Sequence, residues 1–295
     1  MKRSSWSVIG ALTVTAFIAL GSKTAAGQGL PAAVGSPRVY VLNSAEFVGY
    51  PRSFLQFGAQ GVGGWTPAAF FLIRHPRGNV LVDTGVSDRE IDEPGSVWGA
   101  GLRQYFGLKK TPDLSIESQL AKARLKPEDI HYVVLTHLHL DHAGNLSKFP
   151  TATFIIQNEE LKAAWWPDKG FEGAYLHEDI KDTRKFKILR LEGNLDLFGD
   201  RSIEVIRAPG HTPGTQLVVA RLPRSGMVVF TGDAVYDRDN LEKNALPTPS
   251  GAWQATGMLN TYALVRQWRD SGAQVLFSHD GDDFKTYKQA PAYYD

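Results

Sequence analysis

The chain has 295 residues, 43% of them hydrophobic and 11% aromatic, enough for one large domain or two small ones with a sizeable core, which excludes a disordered chain. Its 32 basic residues nearly cancel 31 acidic ones, and a formal charge of +1 lacks the broad basic field that a nucleic-acid binder needs. Cysteine is absent, which excludes disulfides, thiolate-held zinc, iron–sulfur clusters and a thiol nucleophile, so any metal must be held by nitrogen and oxygen.

Residues 1–27 read as a secretory signal peptide. Met1-Lys2-Arg3 is a short basic start, residues 6–21 form an uncharged apolar run, and Thr24-Ala25-Ala26-Gly27 offers small residues for cleavage. The run is shorter than the roughly 20 residues of a spanning helix, and no cysteine follows it for lipid attachment. Its removal takes Lys2, Arg3 and Lys23 and no acid, moving the formal charge from +1 to −2. The expectation is a periplasmic or secreted protein with no stable membrane insertion after signal removal. Residues 28–37, rich in Gly, Pro and Ala, read as a linker, and residues 38–295 as a single domain.

Within that domain, β-rich runs at 39–42, 68–74 and 80–82 predict strands, the last two joined by the turn 75–79. Residues 115–123 predict a helix with one apolar side, 131–135 and 153–156 predict buried strands, and 158–165 predicts a helix with Asn158 as its cap. Further strands are expected at 203–206, 216–220 and 227–230. The longest helix is expected over 253–270, stopped by Gly272, and a strand at 274–277 closes the alternation. Strands alternating with helices, without a second linker, indicate an α/β or layered α+β class.

The chemistry concentrates where predicted strands end. Thr136-His137-Leu138-His139-Leu140-Asp141-His142 directly follows one. Residues two apart in extended chain share a side, so His137 and His139 can grip one ion, while a turn carries Asp141 and His142 to a neighbouring position. Three more candidates each end a β run: His211 in Pro209-Gly210-His211-Thr212-Pro213-Gly214, Asp233 in Thr231-Gly232-Asp233-Ala234, and His279 in Ser278-His279-Asp280-Gly281. Together they describe one shared rim.

These residues resemble the metallo-β-lactamase superfamily, whose mark is His-x-His-x-Asp-His followed by later His, Asp and His. Leu81-Val82-Asp83-Thr84-Gly85 extends the likeness upstream. The resemblance implies a four-layered αβ/βα sandwich with a dinuclear metal site. Carried over position by position, His137, His139 and His211 hold one ion; Asp141, His142 and His279 hold the other; Asp233 bridges. The cofactor expectation is two divalent ions, with zinc placed first and manganese, cobalt or iron also admitted by such ligands. Asp141 has a second expected role in proton transfer, and Asp83 is expected to orient a ligand.

Within the superfamily, Gly232-Asp233-Ala234-Val235-Tyr236 resembles the N-acyl-homoserine lactonases, which implies a catalytic Tyr236 on the substrate carbonyl and a small-molecule lactone substrate, with a homodimer as the assembly. The alternatives are a periplasmic metallo-β-lactamase, an organophosphate or aryl-ester hydrolase of the same superfamily, and a non-enzymatic periplasmic metal or ligand binder. Residues 61–65 and 96–101, with Tyr105 and Phe106 following, read as mobile loops that line an acyl pocket or pack ordinarily; Trp165-Trp166-Pro167 carries the same ambiguity. His75, His131 and His177 read as structural or surface residues.

Overall fold

The computed structural model describes residues 35–295, so the expected signal peptide and most of the expected linker lie outside the described residues. A first sheet runs β1 (Arg38–Phe47), β2 (Thr66–Arg74), β3 (Asn79–Val82), β4 (Ile130–Val134), β5 (Thr153–Gln157) and β6 (Lys187–Leu191), in that spatial order. The first three strands pair antiparallel; β3, β4, β5 and β6 run parallel. The second sheet contains β7 (Leu195–Asp196), β8 (Ile203–Arg207), β9 (Gln216–Leu222), β10 (Gly226–Phe230) and β11 (Gln274–Leu276), antiparallel except for the β10–β11 pair.

The strands explain the layering. In β2 alternate side chains enter different cores: Phe70 and Leu72 pack with Ile116 and Leu120, whereas Phe71 and Ile73 meet Val205, Val218 and Phe230 of the second sheet. Burial on both faces is why β2 reads as a continuous apolar run rather than a half-polar alternation. The second sheet's other face is covered by the helix Ala255–Asp270, whose Met258, Tyr262 and Val265 are fully buried. Helix, sheet, sheet and helix therefore stack in four layers, the αβ/βα sandwich.

Local chemistry sets most boundaries. Ser115 caps the helix Ile116–Lys122 by accepting the Ser118 N–H. The expected cap at Asn158 is corrected: Asn158 is the first helical residue, Gln157 stands at the cap position, and no side chain caps that end. The long helix starts at Ala255 rather than 253, since Trp253 and Gln254 are held instead by the backbone carbonyls of His211 and Gly210. Residues 96–101 are corrected too. They are not all loop, for the helix Gly99–Phe106 begins within them and ends at Gly107 in the left-handed region. Strands β6 and β7 were not anticipated; β6 is an edge strand with exposed charged residues, which hides the alternation.

A buried ion pair ties this frame to the loop after β3. Lys110 Nζ, fully buried, lies 2.6 Å from Asp88 and donates to the carbonyls of Ser44 and Leu114. Burial, only partly offset by Asp88, pulls its ammonium below the usual lysine range. Asp88 also accepts the Ile116 N–H and a bond from Lys148. Removing one partner of a buried pair leaves an uncompensated charge. Lys110→Met is therefore expected to lower unfolding stability by about 3 kcal/mol, the lower end of the usual ~3–5 kcal/mol because Lys148 remains. Denaturant titration checks this; a loss below about 1 kcal/mol would show the pair to be dispensable.

Candidate metal centre

The loops at the carboxyl ends of β3, β4, β8, β10 and β11 converge on one rim. After β4 the chain bends at Thr136, passes through His137 and His139 and then turns, with the N–H groups of His142 and Ala143 both reaching the His139 carbonyl. That turn moves Asp141 and His142 away from the first pair. Thr136, just before, is stitched to the second sheet through its carbonyl, which accepts the Gln216 N–H at 2.9 Å. The Asp233 loop presses against the same residue: Gly232 has φ +49°, and a Cβ there would lie 2.6 Å from the Thr136 Cβ.

All seven residues expected from the sequence come together. His137 Nε2 and His139 Nδ1 lie 3.2 and 2.9 Å from His211 Nε2. His142 Nε2 and His279 Nε2 are 3.3 Å apart, with the Asp141 carboxylate 3.8 and 3.5 Å from them. Asp233 stands between the two groups. Its Oδ1 is 3.1 Å from His142 and 3.0 Å from His279, while its Oδ2 faces His137 and His211 at 3.7 and 3.6 Å.

The Nδ1 atoms of four of the rings are committed outward. The Nδ1 atoms of His211 and His279 meet the carbonyls of Gly251 and Pro67 at 2.7 and 2.9 Å, and that of His137 meets the Thr136 hydroxyl at 3.1 Å. The His142 Nδ1 meets Asp83 Oδ2 at 2.8 Å. Asp83, in the left-handed region at φ 63°, also accepts the N–H and hydroxyl of Thr136, so it orients His142 as anticipated. With Nδ1 engaged outward, the Nε2 atoms of His137 and His211 turn toward each other and those of His142 and His279 turn toward Asp233 Oδ1. Asp233 Oδ1 is buried without a hydrogen-bond partner. Converging imidazole nitrogens around a buried carboxylate fit two cations, and three overlapping ligand groups arise from these residues. The donor set holds only nitrogen and oxygen.

The cluster forms the floor of a cavity of about 310 Å³. Phe47, Phe54, Trp98, Tyr105, Phe106 and Phe171 contribute its walls, and Tyr236 stands between wall and floor, its hydroxyl 3.0 Å from His211 Nδ1. No lysine or arginine is among the described residues that line it. Trp98, Tyr105 and Phe106 thus reach the cavity, whereas 61–65 and Trp165-Trp166 do not line it. His75 stacks on Phe198, His131 accepts the Asn79 N–H, and His177 opens a short helix, all apart from the cluster. The sequence reading missed Phe47, Phe54 and Phe171, whose spacing carries no motif. It also missed Glu160, a buried carboxylate beneath the ligand loops.

Residues 63–279 match the family model described as the metallo-beta-lactamase superfamily. An N-acyl homoserine lactonase, AttM, of Azorhizobium caulinodans is 33% identical, covering 88% of this chain and 98% of that protein. Among solved structures, an N-acyl homoserine lactone hydrolase with the product N-hexanoyl-L-homoserine at its catalytic metal centre superposes with a TM-score of 0.74 at 23% identity, covering 88% of this chain and 100% of that one. The dizinc quorum-quenching lactonase AidC superposes with a TM-score of 0.64 at 18% identity, over 84% of this chain and 88% of that one. At these identities the structures speak for the fold.

The two halves differ in protonation before any cation enters. Burial, then neighbouring imidazoles, holds His137 and His139 well below the usual histidine range, and burial lowers His211. Burial is the largest single influence on His142 and His279 and opposes their charged forms, but Asp233 and Asp141 together, with Asp83 added at His142, outweigh it and raise both. A cation entering beside His142 and His279 competes with protons more strongly than one beside His137, His139 and His211. Two ions per chain are expected after metal loading at pH 8. As pH falls through the neutral range, one ion should leave before the other. Elemental analysis after dialysis at stepped pH checks this; one ion throughout, or simultaneous loss of both, would contradict it.

Proposed function

The chain belongs to the metallo-beta-lactamase superfamily, and from that premise we propose that it is a dinuclear metal-dependent hydrolase opening the lactone ring of N-acyl-homoserine lactones. One observation carries the reading: the seven-ligand cluster opens into a neutral, aromatic-walled cavity with Tyr236 at the junction. A lactone carrying an apolar acyl chain matches that combination. The β-lactam alternative is disfavoured, because penicillins and carbapenems bear a carboxylate for which the cavity offers no cationic side chain.

His137, His139 and His211 would hold one divalent ion and Asp141, His142 and His279 the other, with Asp233 shared. Bound there, the pair supplies Lewis acidity, providing an activated water nucleophile at neutral pH and polarising an ester carbonyl. The protein does the rest. The aromatic walls bury the acyl chain and exclude water from around the ring. Burial, then Asp233 and Asp141, raises the Tyr236 phenol well above its ordinary range, so it stays protonated. Because the Nδ1–H of His211 is directed to the Gly251 carbonyl, the Tyr236 proton is free to serve an oxyanion developing on the lactone carbonyl. Asp141 has the more exposed carboxylate, with 18% of its side chain accessible against 5% for Asp233. It is placed to take the proton of the attacking water and deliver it to the departing ring oxygen, leaving the open-chain acid.

The finer assignments belong to the same proposal. Zinc as the metal is supported by the nitrogen and oxygen ligand set. A periplasmic or secreted location is supported by the composition of residues 1–27, and a homodimer by family resemblance.

Acyl-homoserine lactone should be converted to its acid with release of one proton, and pH-stat titration with product analysis reads this directly. A panel including a carbapenem and a phosphotriester tests the alternatives; efficient turnover of either without lactone opening would overturn the reading. Tyr236→Phe is expected to lower kcat about tenfold with metal content and Tm unchanged, less than the ~10²-fold typical of a lone oxyanion donor. Unchanged kcat and kcat/KM across several lactones would remove Tyr236 from the chemistry.

A further inference from the structure

Glu160 lies in the helix Asn158–Trp165, in neither ligand loop, yet it is fully buried beneath both. Its Oε1 accepts the Leu138 N–H at 2.8 Å, between His137 and His139, and the Tyr175 hydroxyl at 3.1 Å. Its Oε2 accepts the Thr212 hydroxyl at 2.6 Å and the Gly214 N–H at 3.1 Å, just beyond His211. The Tyr175 ring in turn packs edge-on against His139, with centroids 4.6 Å apart. No cationic side chain among the described residues pairs with this carboxylate, so four neutral donors account for its burial. The backbone makes room for it: a Cβ on Gly214 would lie 2.4 Å from the Glu160 Cβ, so the loop can press against the helix only with glycine there.

We infer that Glu160 is a positioning residue for the ion position formed by His137, His139 and His211, clamping two ligand loops from separate sheets to one helix. Asp83 does the corresponding work beside His142. Each half of the centre thus has its own buried carboxylate, and the two are separable by mutation. This rests on the dinuclear reading above. A glutamine cannot replace Glu160, because its amide turns an N–H₂ toward either the Leu138 or the Gly214 N–H and releases one loop. Orienting partners of ligands typically govern metal affinity by about 10–100-fold.

The test uses the full protein loaded with Co²⁺, by chelator competition and by NMR of the hyperfine-shifted imidazole N–H protons. Glu160→Gln should release one ion at about 10–100-fold lower chelator strength. The His211 resonance should move, and those of His142 and His279 should stay. Thr212→Val, which removes one hydroxyl and keeps the fold's shape, should shift the same resonance with a smaller affinity loss. Asp83→Asn should do the reverse, moving His142. Wild-type affinity and spectrum in both Glu160→Gln and Thr212→Val would overturn the inference, as would equal weakening of both ions. A wild-type protein that takes up fewer than two ions would overturn the dinuclear reading itself, and this inference with it.

Discussion

The site depends on the position of one carboxylate. Asp233 directs Oδ1 toward His142 and His279 and Oδ2 toward His137 and His211, and among the described residues no lysine or arginine pairs with it. A buried anion left in that condition is costly unless cations stand beside it. Around it, burial lowers the proton affinity of His137, His139 and His211, while the pull of the carboxylates raises that of His142 and His279. The asymmetry follows from where Asp141 and Asp83 sit, since both lie on the His142 side.

Holding that arrangement is a task spread through the sandwich. The ligands come from both sheets, so any sliding of one sheet over the other would pull the halves apart. The interface resists this with the fully buried Phe71, Val205, Val218 and Phe230. At the rim, directional bonds take over: Gln216 joins β9 to the end of β4 through the carbonyls of Leu135, Thr136 and Ile155. Asp83 and Glu160 then pin individual loops. Hydrophobic burial supplies the stability, and the polar contacts set orientation.

The cavity adds a second constraint of the opposite kind. Its walls are aromatic and uncharged, so they recognise area rather than a charge pattern, while its floor is polar and strongly ionic. Such a division suits a substrate with an apolar tail and a single reactive ester, with Tyr236 at the boundary. Phe54 and Phe106 meet edge to face at 5.0 Å, and Phe106 contacts Trp98 and Tyr105 similarly, giving the wall a definite shape.

The sequence by itself determined the candidate ligands and the layered class. Seven His and Asp residues at strand ends, with the Gly and Pro that bend the chain around them, are local patterns, and β2 declares its two-faced burial in consecutive residues. Even Asp83 was visible, because it follows β3 directly in a motif. Only the tertiary structure decided which atoms meet. That Asp233 faces both halves, that Phe47 and Phe171 share a wall though far apart in the chain, and that Glu160 reaches two loops are consequences of long-range packing. The Asn158 cap failed for the same reason: cap propensity is a short-range preference, and the helix was started instead by the chain leaving β5. A glutamate on a helix face carries no sign of burial in its neighbours, since the donors that accommodate it come from Tyr175 and from both ligand loops, all distant in the chain.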